Sequence, residues 1–323
     1  LGNQNDLINK INSCIAEFDP EFPAKSISEL KIIYNSLLAL PETNKNIAYW
    51  KKQKLKETEN LLLNCAGIWI EPSAGNFSGI PGKKVDITLQ AINRSDANVK
   101  INSIVYSDKS DTIAEIPLKK SELSVCKRTI SLNKNISYSN PYWLKSVHNE
   151  GFFTVTDPML ILQPENSAAY SVKINLNIEG LNLEINKPLV YKSVDPAKGE
   201  VYRPFEVLPA IAVNFSAKAF TFQNGKPAGI QLNIIVNEDS VKGKVILNLP
   251  KGWKAEPAEF NLGIFSKNNN RIFETTITPP TTHSEGTISA MVISNGDSIS
   301  YGIKRMEYDH IPYQFMLNEA KAK

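Results

Sequence analysis

The sequence predicts a mainly β protein, in which an N-terminal helical segment precedes two antiparallel β-sandwiches. Two observations predict it. Up to about residue 66 apolar residues recur every third or fourth position, and beyond Gly67 they recur every second position. The alternating runs are also short and bounded by Gly, Pro and Asn, as in antiparallel sheets with one wet face.

The helical elements come first. "NDLINKINSCIAEF" sets Leu7, Ile8, Ile11, Ile15 and Phe18 at helical spacing. "SISELKIIYNSLLAL" opens on Ser26 with Glu29 three residues later, a capping-box pattern, and stops before Pro41. A third pattern runs from about Thr43 through "YWKKQKLKETENLLLNC" to Gly67, a C-terminal cap. Tyr49 and Trp50, near its start, are expected to dock the helices on the sheet. The charged run from Lys51 to Glu57 reads as a solvated helix face.

The strands follow. "KVDITLQAINRS" turns Val85, Ile87, Leu89 and Ala91 inward and Asp86, Thr88 and Gln90 outward. "AYSVKINLNIEGLNLEI" alternates through Val172, Ile174, Leu176 and Ile178, turns at Glu179-Gly180, and returns as Leu181, Leu183 and Ile185, a β-hairpin. A second all-β unit is expected after "YRPFEVLPAIAVNF", with strands near "AGIQLNIIV", "GKVILNLP", "RIFETTITPP" and "GTISAMVIS". The expected division is a helical segment over 1–66, a β-sandwich over 67–207, a second over 208–308 and a tail over 309–323, with a linker near Val207 to Pro209.

Composition narrows the function classes. The 323 residues carry 36 Lys+Arg against 33 Asp+Glu, interspersed, so no basic stripe points to nucleic acid. No run approaches the roughly 18 apolar residues of a membrane helix. The chain opens at "LGNQND" without an initiator Met or signal peptide, as a processed protein or an excised fragment would. Cys14, Cys65 and Cys126 are widely spaced and in no CxxC pair, which argues against a disulfide scaffold or zinc ribbon. Cys14 and Cys65 read as small core residues.

A search for chemistry finds little. His148, His283 and His310 are far apart, and none has a partner at metal-ligand spacing. HExxH, GxSxG, GxGxxG and GxxxxGK are all missing from the sequence. No cofactor is therefore expected. Aromatic residues carry the binding candidates. Trp69 in "GIWIEP" reads as a core ring of the first sandwich. Trp253 in "LPKGWKAEP" follows a turn, either packed across a sandwich end or exposed for stacking. Tyr142 and Trp143 stand in "NPYWLKSVHNEGFF". If that segment is extended, one ring points inward and the other outward. An outward ring would stack on a sugar face. Alternatively both rings close the sandwich edge against Phe152 and Phe153, which is the preferred alternative. The candidate carbohydrate platform is Tyr142, Trp143 and Trp253.

"NPYWLK", a Gly-Phe segment, "PLVYKSVDPAKGEVYRPFEVLP" and "YDHIPYQ", preceded by "CAGIWIEPSA" and "PGKKVDITLQAINRSD", carry a family resemblance over about residues 5–317. In this order they resemble the region downstream of the catalytic domain in large secreted PIG-L/LmbE-type de-N-acetylases of Bacteroidetes. Residues from about 209 to 307, with "GKVILNLPKGWKAEP" and "ITPP", are similar to the NPCBM-associated Ig-like domain of glycan-active enzymes. The resemblance implies Ig-like sandwiches, an extracytoplasmic location (periplasmic or secreted), and a catalytic domain on the same polypeptide as partner, with glycan as a second candidate partner. It also places zinc and a His-Pro-Asp-Asp-Glu motif in that other domain. No such motif occurs here, so no catalytic residue carries over, and His310 lies in a family segment outside the zinc site.

Overall fold

A computed structural model of the chain describes residues 2–106, 115–146, 151–267, 270–294, 296–308 and 310–323. His148 and Glu150 lie outside the described residues. The protein is mainly β, with an N-terminal helical segment and antiparallel sheets in sandwich arrangements. No described helix is long and apolar enough to cross a membrane. The chain forms two compact units, and each draws on three stretches of sequence. The first comprises Leu1–Gly75, Asp86–Ile130 and Tyr170–Val194; the second comprises Asn76–Val85, Ser131–Ala169 and Asp195–Lys323. This grouping differs from the consecutive blocks expected above.

In the first unit the helices are α1 (Gly2–Ala16), α2 (Ile27–Leu38) and α3 (Lys45–Cys65). One face of α2 buries Leu30, Ile33, Tyr34 and Leu37, and α3 buries Leu62 and Leu63. Asn44 caps α3 by accepting the Ile47 N–H at 3.0 Å, satisfying one of the free donors of the first turn. At the other end Gly67 takes the positive φ of +62° that ends a helix. The expected capping box at Ser26 does not form. Ser26 completes a 3-10 turn, Pro23–Ser26, with helical angles of −76° and −8°, whereas a capping side chain needs an extended backbone to reach forward.

Ile8, Ile11 and Ile15 of α1, and Phe18 just beyond it, are exposed, so this apolar stripe is not covered within the unit, and one apolar expectation fails here. Tyr49 and Trp50 do not dock on a sheet. Both are about half exposed or more, at 49% and 58%, and meet each other edge to face at 5.4 Å, with Lys54 over Trp50.

The strands of this unit follow the predicted alternation. Ile68–Ala74 pairs antiparallel with Lys84–Asn93, whose Ile87, Leu89 and Ala91 are buried, and runs parallel to Val190–Asp195. A second sheet orders Ile116–Pro117, Val99–Val105, Ser171–Ile178 and Leu181–Pro188. The last two form the expected hairpin, and both turn residues have positive φ, Glu179 at 48° and Gly180 at 84°. Buried Asn93 pins a corner by donating to the carbonyls of Ala97 and Leu118 at 2.9 and 3.1 Å. Cys65 is buried and Cys14 half-buried, both as free thiols.

The second unit is built on a β-sandwich. One sheet orders Ile211–Phe215, Ala228–Val236, Arg271–Thr278 and Lys254–Glu256. The other orders Glu259–Phe265, Val241–Asn248, Ile288–Ser294 and Asp297–Ile299, with Lys321–Ala322 also paired to Ile288–Ser294. Between them lie Val213, Leu232, Ile234, Val245, Phe265 and Val292, all fully buried. Gly243 lies at an irregularity in strand register, where an added Cβ would stand 2.2 Å from the Ile293 carbonyl oxygen.

Residues after 308 do not trail off as a tail. Tyr301–Tyr308 and Ile311–Glu319 form an antiparallel hairpin. Ile303, Phe315 and Leu317 of that hairpin join Leu208 and Ala212 in a second apolar cluster. Val207 and Leu208, read as a linker, are fully buried, and Glu206–Val207 pairs in parallel with Ser78–Gly79.

Candidate functional site

A cleft of about 390 Å³ opens within the second unit, lined by residues 136–143, 145, 160, 165–169, 204–206 and 313–315. Tyr142 and Trp143 line it, as do Tyr138, Phe205, Tyr313 and Phe315. Its polar lining includes Asn140, Lys145, Glu165, Asn166, Glu206 and Gln314.

The segment carrying the two rings is not a strand. Pro141, fixed near its preferred φ at −47°, leads into a 3-10 turn, Tyr142–Leu144. Helical geometry places successive side chains on the same side more nearly than a strand does. The rings of Tyr142 and Trp143 meet edge to face, 4.9 Å apart at 90°, and both residues are half-buried. Phe152 and Phe153 are exposed, at 78% and 55%.

Asparagine side chains hold this turn in place. Asn166 accepts the Tyr142 N–H at 2.9 Å and donates to the Asn140 carbonyl at 2.9 Å. Asn140 accepts the Leu317 N–H at 3.0 Å and donates to the Leu144 carbonyl at 3.1 Å, joining the turn to the hairpin. The Tyr142 hydroxyl donates to the Gln163 carbonyl at 3.3 Å.

Glu206 is the electrostatically distinctive group. Burial pushes its carboxyl above the usual carboxylate range, and a hydrogen bond with the Ser139 side chain opposes the shift. The Ser139 hydroxyl accepts the Val207 N–H at 2.8 Å, which leaves its proton free to point at the carboxylate. Tyr313 has Arg203 and Arg305 over its ring, at 4.5 and 4.8 Å, and Glu307 engages both guanidinium groups, that of Arg305 at 2.6 Å. Burial raises the Tyr313 hydroxyl pKa against the pull of those arginines.

Trp253, the third predicted platform residue, is placed elsewhere in the unit. It packs with Ile230, Ile277, Ile288 and Phe222, its ring 5.0 Å from that of Phe222, and its indole N–H donates to Ser284 Oγ at 3.1 Å. Trp69 is half-buried with the Lys192 ammonium 5.7 Å from its ring. His310 is exposed beside Tyr308. Among the described residues no group of three or more His, Cys, Asp or Glu side chains converges in a way that could hold a metal ion.

Sequence reading did not single out Glu165, Asn166, Glu206 or Tyr313. Glu206 and Tyr313 stand in the quoted segments "YRPFEVLP" and "YDHIPYQ", but nothing local marks them as neighbours. No protein-family model matches this sequence, and no curated protein does. Among solved structures, native E. coli alpha-2-macroglobulin has a TM-score of 0.25 at 10% identity, over 79% of this chain and 16% of that one. A protein of unknown function from Porphyromonas gingivalis W83 scores 0.20 at 8% identity, over 79% of this chain and 99% of that one. The fold stands on the strand pairing described above.

Proposed function

We propose that the chain is a non-catalytic accessory module of a secreted zinc-dependent de-N-acetylase of the PIG-L/LmbE type, and that its second unit holds a saccharide in the Tyr142–Trp143 cleft. One observation carries the binding half of this proposal: edge-to-face rings share a cleft with carboxylates and carboxamides. A pyranose has an apolar C–H face that suits an aromatic ring, and hydroxyls that suit Glu165, Glu206, Asn166 and Gln314. The volume of about 390 Å³ lies in the range of about 300–1,000 Å³ common for small-molecule sites. The partner module is the catalytic domain of the same polypeptide, and the exposed stripe of α1 offers it an apolar face.

Two measurements test this. Immobilised glycans should retain the protein, and Trp143→Ala should lower retention at least about tenfold while Ile264→Ala, at an exposed strand position, leaves it unchanged. No retention on any glycan removes the binding half. Incubation with N-acetylated sugars should release no acetate above a blank; release abolished by a chelator would show that this chain does the chemistry itself.

A further inference from the structure

We propose that the cleft selects saccharides carrying a protonated amine, with the Glu206 carboxylate as the group that receives it. This rests on the saccharide reading of the same cleft and narrows its ligand class. Glu206 is held on a fixed backbone, since Glu206–Val207 pairs with Ser78–Gly79 and the Glu206 N–H donates to the Phe77 carbonyl at 3.0 Å. A carboxylate offers about four acceptor positions, and the Ser139 hydroxyl takes one of them.

The surroundings favour a cation there. Desolvation already penalises the ionised carboxylate, and a ligand ammonium would offset that cost through a charge-assisted hydrogen bond. Rings of Tyr142 and Trp143 line the same cleft, and ring faces attract cations. Two carboxylates, Glu165 and Glu206, face one lysine, Lys145, in the lining. Arg203 and Arg305 are engaged by Glu307 and are not among the lining residues. A neutral N-acetyl or hydroxyl group in place of the amine gains neither the ion pair nor the cation–ring attraction.

Calorimetric titration of the full chain with three probes tests the inference: a β-1,4-linked glucosamine hexamer, its N-acetylated counterpart, and the corresponding glucose hexamer. The amine form should bind about tenfold tighter than either neutral form. Glu206→Gln, which keeps the shape but removes the charge, should erase that preference, so that the amine form binds no tighter than the neutral forms. Thermal unfolding of the variant checks that it is folded, and the probe comparison on the unaltered protein does not depend on it. Equal binding of all three hexamers overturns amine selection and leaves the saccharide reading standing. Binding of none overturns both, and a preference that survives Glu206→Gln overturns the role of Glu206.

Discussion

Replacing Phe265 by alanine is expected to lower the unfolding free energy of the second unit by about 3–5 kcal/mol, the usual cost of emptying a buried aromatic site. Phe265 is fully buried at the end of Glu259–Phe265, opposite Val241, and belongs to the cluster between the two sheets. The Arg271 guanidinium lies 4.5 Å from the ring centre. Truncation therefore removes the ring's contacts with the core and its contact with that guanidinium at once. The neighbouring Ile264 is 64% exposed on the same strand, so Ile264→Ala should change stability by no more than about 0.5 kcal/mol. Urea unfolding followed by far-ultraviolet circular dichroism reads both. Equal midpoints for the two variants would mean that this strand does not close the sandwich core.

The alternation that exposes Ile264 beside buried Phe265 is irregular, and it shows where sequence reading works and where it stops. Strands with strict alternation, such as Lys84–Asn93 and the hairpin from Ser171 to Pro188, were legible because each side chain's face follows from the pleat. The Glu179-Gly180 turn was legible because alternating runs flank it and Gly180 suits positive φ. The stripe of α1 was legible as a period, yet its exposure was not. Periodicity says which residues share a face, and only tertiary structure says whether anything covers it.

The unit boundaries were hidden for a related reason. Segments 76–85 and 131–169 belong with residues after 195, and such long-range grouping leaves no local mark. Residues 311–319 looked like a tail because a polar, charged end follows them. Their alternation, with Phe315 and Leu317 buried, was the signal that a strand was present. The candidate site divides in the same way. Tyr142 and Trp143 stood out as adjacent rings, whereas Glu206 and Tyr313 reach the cleft from stretches more than a hundred residues apart in sequence. Only an extended 141–144 would send the two rings to opposite faces, and the 3-10 turn instead brings them into contact.

That contact depends on Asn140, which leads to the second large effect. Asn140→Ala is expected to cost about 2–4 kcal/mol, because it removes partners from polar groups in a half-buried setting. The lost bonds are those to the Leu317 N–H at 3.0 Å and to the carbonyls of Leu144 and Leu317 at 3.1 and 3.4 Å. Asn140→Asp keeps the acceptor for Leu317 N–H but turns a donor into an acceptor facing two carbonyls, so it should not rescue the loss. Asn261→Ala, at an exposed strand position, should stay within about 0.5 kcal/mol. Because the same asparagine ties the Tyr142–Leu144 turn to the hairpin bearing Tyr313, saccharide affinity should fall in Asn140→Ala even where the unit is fully folded. Measuring affinity well below the unfolding temperature separates the two effects. A variant that loses stability but binds as tightly as before would leave Asn140 as a structural clasp alone, with the rings positioned by Pro141 and Asn166.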